Sequence, residues 1–241
     1  MTSIHLDRLY IGYAQKKVSI RTVAADINAT AQAGMLTCLL GRNGAGKSTL
    51  LQTITGRLRP LAGEVTYDDI SIAALSPRQR ARMVSIVLTR QPNDVAITTQ
   101  ELVALGRHPY TNYFGTLSAQ DRHYVADAME KTHISHLARR PIAQLSDGER
   151  QRALIAKALA QQTPVIILDE PTAFLDYPGR IDTMTLLRDL AHGEGNTILL
   201  ATHDWELALR HADTLWLLAE QGLTTDRPSE HSLESLTRLL S

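Results

Sequence analysis

The chain has 241 residues with 25 Lys+Arg against 25 Asp+Glu, enough for one or two domains with a substantial core and no formal net charge. At 44% hydrophobic and 21% charged it has the composition of a globular protein, which excludes disordered and fibrous classes, and zero net charge gives no general attraction to nucleic acid or anionic lipid. Apolar runs such as 165–168 and 198–201 fall far short of the roughly 18 to 20 residues of a membrane span.

Met1-Thr2-Ser3-Ile4-His5 has neither the basic region nor the apolar run of a signal peptide. The single cysteine, Cys38, excludes an intramolecular disulfide and a cysteine-based zinc site, and fits a reducing compartment such as the cytoplasm. His133 and His136 stand at i and i+3 with no third ligand at metal spacing, so a solvated helix face is expected there.

In chain order, residues 4–10 alternate apolar and polar as a half-buried strand does, and Gly12 is expected to break it. Residues 36–40 are almost wholly apolar, as in a strand buried on both faces, and helical spacing starts at Lys47. Pro60 and Gly63 end that segment and 64–67 reads as a short strand. Ser76-Pro77 opens a short helix through Arg82. Gln91-Pro92-Asn93-Asp94 is turn material, and three helices follow at 98–107, 118–131 and 147–161, with Ser118 and Asp121 as a capping signal for the second. After Pro164 come strand 165–168, helix 181–191, strand 197–201, helix 205–212 and strand 214–218, and the last twenty residues are expected to form a small peripheral helix. The pattern predicts an α/β fold with a mainly parallel sheet, interrupted by helices from about 90 to 162.

Gly41-Arg42-Asn43-Gly44-Ala45-Gly46-Lys47-Ser48 matches G-x-x-x-x-G-K-[ST] between a buried strand and a helix, the context that gives this pattern meaning. The glycines let backbone wrap a phosphate, loop N–H groups donate to it, Lys47 reaches the β- and γ-phosphates and the Ser48 hydroxyl suits Mg²⁺. Val165-Ile166-Ile167-Leu168-Asp169-Glu170 is a second buried strand ending in two acids, which suits a ligand crevice at the carboxyl ends of a parallel sheet. Asp169 is placed to hold Mg²⁺, directly or through water, and Glu170 to orient or deprotonate an attacking water. Ser146 and Glu149 form an S-x-x-E capping box; Gly148 in that first turn points to something approaching the bare backbone, and an ordinary capped helix is the alternative.

Together with Leu175-Asp176 and His203, these segments in this order resemble the ATP-binding cassette (ABC) family of transport ATPases, over nearly the whole chain. The resemblance implies one ABC ATPase domain over 1–241: a core of about 1–89 and 163–220 with a small antiparallel β part near the amino terminus, a helical insertion of about 90–162, and a tail of about 221–241. It further implies that Asn43, Gly44, Ala45, Gly46, Lys47, Ser48 and Thr49 bind ATP. Ser146 and Gly148 would reach the γ-phosphate held by a second subunit, Leu175-Asp176 would lie at the dimer seam, and His203 would hold the γ-phosphate. Tyr13 is the aromatic implied to stack on adenine, with Tyr10 as the alternative.

Two positions depart from the family pattern: Asp147 replaces a glycine, and the glutamine expected after strand 84–88 falls by spacing on Thr89, with Gln91 two residues late and assigned to the Mg²⁺ site. Glu101-Leu102-Val103-Ala104-Leu105-Gly106-Arg107-His108-Pro109-Tyr110 resembles the ATPases that energise uptake of ferric siderophores, haem or cobalamin. Three of eleven aromatics, Tyr110, Tyr113 and Phe114, cluster beside it as a partner surface would. The implied assembly is a homodimer with ATP and Mg²⁺ on integral membrane permease subunits at the inner face of the cell membrane, served indirectly by a periplasmic or extracellular substrate-binding protein and by no nucleic acid. A soluble ABC ATPase of an assembly or regulatory complex carries the same motifs, and a weakly hydrolysing nucleotide switch is a third reading.

Overall fold

Two strands, β1 (Ile4–Gln15) and β2 (Ser19–Ala31), pair antiparallel at the start of the chain. Gly12 does not end β1: the ladder shifts register between Ile11 and Gly12, and a Cβ at Gly12 would collide with the Arg21 carbonyl oxygen. The glycine therefore marks a close strand approach at a bulge rather than a stop. The computed structural model describes residues 1–15, 19–88, 96–112, 115–219 and 222–229.

The chain continues through β3 (Leu36–Gly41), α1 (Lys47–Ile54), β4 (Ala62–Tyr67), β5 (Ile70–Ser71), α2 (Pro77–Met83) and β6 (Val84–Val87). Helices α3 (Thr99–Ala104), α4 (Ala119–Lys131) and α5 (Asp147–Ala160) follow without an intervening strand among the described residues. Then come β7 (Val165–Asp169), α6 (Tyr177–Glu194), β8 (Thr197–Ala201), α7 (Trp205–His211), β9 (Thr214–Ala219) and β10 (Gly222–Asp226). A four-stranded antiparallel sheet has the order β2-β1-β4-β5, and a six-stranded sheet the order β10-β9-β3-β8-β7-β6, parallel except for β10.

The six-stranded sheet explains the unbroken apolar runs. Leu36, Cys38 and Leu40 of β3 and Ile166 and Leu168 of β7 face a core shared with α3 to α7, while Leu39, Ile167 and Trp216 face α1 and the antiparallel sheet. Alternate side chains thus enter two cores, so the strands are almost wholly apolar and admit only small polar residues such as Thr37 and Ser85, both buried. Burial, with Asp213 nearby, pushes the Cys38 thiol up, which keeps it a protonated packing group.

Helices α2 to α5 start in the same way, with capping boxes Ser76/Gln79, Thr98/Glu101, Ser118/Asp121 and Ser146/Glu149. The helix expected over 98–107 ends instead as a 3-10 turn at Leu105–Arg107, where Gly106 lies too close to the Lys157 carbonyl for a Cβ. Helix α6 starts earlier than expected, because the Asp176 carboxylate accepts the Gly179 N–H and a proline occupies its first turn. His133 has φ 59° just beyond α4 and His136 lies in a 3-10 turn, so the pair does not share a helix face. The tail begins as β10, with Leu223 paired to Leu218 and packed on the core, not as a helix; residues 230–241 of that expectation lie outside the described residues.

Candidate active site

The order β3-β8-β7 brings three strand carboxyl ends side by side: Gly41 from β3, Asp169 and Glu170 from β7, and His203 just beyond β8. Crevices at such ends are where open parallel sheets hold ligands. The 41–48 loop leaves β3 and turns through Gly44 at φ 85° and Gly46 at φ 104°, left-handed conformations that a side chain would strain. Gly46 is the N-cap of α1 and offers no side-chain hydrogen bond, so the first-turn N–H groups lack the intrahelical cap found at the other helices. Lys47 is 8% exposed, and its Nζ donates to the Gly41 carbonyl at 2.7 Å and the Arg42 carbonyl at 3.4 Å. A cation folded over a loop that runs into an uncapped helix N-terminus makes a binding place for a polyanion.

Ser48 Oγ donates to Asp169 Oδ2 at 3.2 Å across the crevice. A hydroxyl and a carboxylate are hard oxygen donors, the class that Mg²⁺ takes. Glu170 has φ 51°, its N–H donates to Ala201 O at 2.9 Å, and its Oε2 lies 2.7 Å from His203 Nδ1. With the carboxylate ionised, Nδ1–H is the donor. His203 is held between anchored neighbours, since Thr202 Oγ1 accepts the Asp204 N–H and Asp204 Oδ1 accepts the Leu207 N–H.

Of the two aromatic candidates, Tyr13 reaches the loop side: its Oη lies 3.2 Å from Thr49 Oγ1, whereas Tyr10 sits beside Ala62 of β4. Val23, whose Cγ1 fills the space where a Cβ on Gly46 would fall, carries no signal in the sequence, because a valine inside a strand reads as core. Thr89 and Gln91, the alternatives for the remaining glutamine position, and Tyr113 and Phe114 lie outside the described residues.

Ser146 and Gly148 are carried separately, at the start of α5. Ser146 Oγ accepts the Glu149 N–H at 3.3 Å, and the Glu149 carboxylate accepts the Ser146 N–H at 2.8 Å. That N–H, together with the Ser146 hydroxyl, holds the Glu149 carboxyl below its ordinary range. A Cβ on Gly148 would meet nothing within 4 Å, so no intramolecular contact requires a glycine there. Asp147 is solvent-facing and 3.9 Å from Arg150. Phe174 and Tyr177, which flank Leu175 and Asp176, are exposed at 67% and 49%; motif reading overlooked both because they belong to no motif.

The model of the family described as ABC transporter matches residues 24–173. The chain belongs to the ABC transporter family. The achromobactin transport ATP-binding protein of Dickeya dadantii is 40% identical over 213 residues, 88% of this chain and 77% of that protein. The iron(3+)-hydroxamate import ATP-binding protein of Bacillus subtilis is 38% identical over 210 residues, 87% of this chain and 76% of that protein. Among solved structures, the dimeric post-hydrolysis state of an ATP-binding cassette bound to ADP and Pi superposes with a TM-score of 0.77 at 26% identity, over 94% of this chain and 99% of that one. This ABC protein is therefore an ATPase, of a family whose cassettes bind ATP, dimerise and work with membrane permease subunits. No helix among its described residues is long and apolar enough to cross a membrane.

Proposed function

We propose that this chain is the ATP-hydrolysing subunit of an importer for an iron chelate, a single ABC domain whose helical insertion spans about 90–162. The observation that carries the reading is the convergence of the 41–48 loop, the Ser48–Asp169 contact and the Glu170–His203 pair on adjacent strand ends. The relative named for iron(3+)-hydroxamate import supports an iron chelate as the cargo, and relatives named for cobalamin import support cobalamin as the alternative.

In this reading the backbone and side chains of Asn43, Gly44, Ala45, Gly46, Lys47, Ser48 and Thr49 hold the phosphates and Tyr13 stacks on adenine. Ser48 and Asp169, with Gln91 or Thr89, hold Mg²⁺, which when bound neutralises charge on the β- and γ-phosphates. Glu170 takes the proton of the attacking water through its carboxylate, and His203, its Nδ1–H held by Glu170, donates to the γ-phosphate through Nε2–H as the imidazolium. Ser146 and Gly148 of the second subunit cover the same phosphate. ATP favours the closed dimer because it binds both subunits, and hydrolysis removes that preference. The dimer sits on permease subunits at the cytoplasmic face of the membrane, and a substrate-binding protein delivers cargo on the other side.

Vesicles containing the dimer and its permease are expected to accumulate a ferric hydroxamate only with ATP inside and the binding protein outside. Uptake of haem or cobalamin in its place would replace the cargo, and ATPase activity indifferent to the permease would remove the transport role.

A further inference from the structure

The far end of α5 is built as a mount. At its carboxyl terminus, Arg107 Nη1 donates to Ala160 O at 2.7 Å and Gln161 Nε2 donates to Ala81 O at 2.6 Å and Val84 O at 3.2 Å. Ala81 belongs to α2, and the same helix holds the segment preceding α4: Arg78 Nε and Arg82 Nη2 each donate to Pro109 O at 3.2 Å. The next residue, Tyr110, has two guanidiniums over its ring, Arg107 at 4.0 Å and Arg82 at 4.9 Å from the centroid. Arg107 is in turn fixed by Asp121 Oδ1 at 2.8 Å in a buried pair. One helix of the core thus grips α5 twice, directly through Gln161 and indirectly through Pro109, Tyr110 and Arg107.

We propose that Gln161, Arg78 and Arg82 are positioning residues: they mount the carboxyl-terminal end of α5 on α2 and so set where Ser146 and Gly148, at its other end, meet the partner's nucleotide. Helix α5 has 14 residues, a rigid arm of about 20 Å at 1.5 Å per residue. A tilt of about 10° at the mount displaces the tip by about 3.5 Å, more than the whole length of a hydrogen bond, so the mount has leverage over tip contacts that it never touches. Between mount and tip, α5 packs its buried face on α3 and α4, so these helices tilt with it, and nearer the tip it is tied to α6 by the Arg152–Asp182 pair at 3.4 Å, a partly exposed contact of the weak kind. The inference rests on the reading that the tip engages a second subunit.

The test uses the Glu170→Gln protein as parent, with three measurements: ATP affinity at protein concentrations too low for dimers, the ATP concentration that gives half dimerisation by light scattering, and the melting temperature. Gln161→Leu and Arg82→Ala are expected to leave monomer affinity unchanged and to raise the half-dimerisation concentration about 2- to 30-fold, with Arg82→Lys recovering part of the loss. An unchanged dimerisation midpoint in a folded variant overturns the inference, as does a parallel loss of monomer affinity and melting temperature, which would mark general damage. If Gln161→Leu does not fold, Arg82→Ala, whose guanidinium works at the surface, decides alone. A parent that binds ATP without dimerising removes the two-subunit reading and this inference with it, whereas a dimerising parent with indifferent variants removes the inference only.

Discussion

The helices α1 and α5 begin in opposite ways. Helix α1 has a left-handed glycine as N-cap, no acid in its first turn and a buried lysine at its first position. Helix α5 is capped by its own Ser146 and Glu149 and carries Asp147 and Glu149 in its first turn. The first arrangement leaves N–H groups and a cation for an anion from outside; the second ties up the Ser146 and Glu149 N–H groups internally and adds negative charge. The difference supports the proposal that α1 holds the polyphosphate by itself, whereas the tip of α5 meets one only when another molecule presents it. The open space beside Gly148 agrees with that division.

The largest expected effect probes the chemistry beside α1. Glu170→Gln is expected to lower phosphate release about 10²- to 10⁴-fold while ATP affinity, measured by calorimetry, stays at the parent value. Normal turnover in that variant would take the base role from Glu170.

Next in size is the mount that carries α5. Arg107→Ala leaves the buried Asp121 carboxylate without its guanidinium partner and is expected to destabilise the fold by about 3 to 5 kcal/mol in chemical denaturation. The Ser118 hydroxyl and N–H, then Arg107, lower the Asp121 pKa to about 2. A carboxyl with a depressed folded pKa contributes stability above its unfolded value near 4 that is lost as pH falls toward 2. Asp121→Asn is therefore expected to flatten the acid limb of the denaturation profile between about pH 4 and pH 2.

Lys47→Ala addresses α1 directly. Removing a charged donor from the phosphate place is expected to weaken ATP binding about 10- to 100-fold by calorimetry. Binding that survives intact would erase the contrast between the two helix ends.

The smallest effect is the sharpest for α5. Because nothing lies near Gly148, Gly148→Ala is expected to stabilise the isolated chain by about 0.5 to 1 kcal/mol through helix propensity, and yet to reduce ATP-driven dimerisation. A variant that melts higher and also dimerises normally would show that no partner comes close to this backbone.

Much of this was legible in the residues themselves. The 41–48 loop, the acids after β7 and the capping box before α5 are local patterns whose physics depends on neighbours along the chain, so they could be read without tertiary information. The continuous apolar runs announced a parallel sheet for the same reason. Gly12 and the tail were misread because their roles depend on partners far along the chain: the Arg21 carbonyl in one case and β9 in the other. Phe174 and Tyr177 show the reverse, since only folding reveals that an aromatic is left exposed.

What the sequence alone determined is the chemical inventory: a glycine-rich loop with a lysine, a hydroxyl and two acids, a histidine and a capped helix, each with donors and charges set by residue type. What only the tertiary structure decided is their company. Placing β8 between β3 and β7 sets His203 against Glu170 and Ser48 against Asp169, and fixing one end of α5 to α2 puts Ser146 and Gly148 at the other end of a stiff arm. The physical reason is range: caps and glycine turns act over three or four residues, whereas strand order and helix mounting join groups 33 to 121 positions apart, for which no local pattern exists.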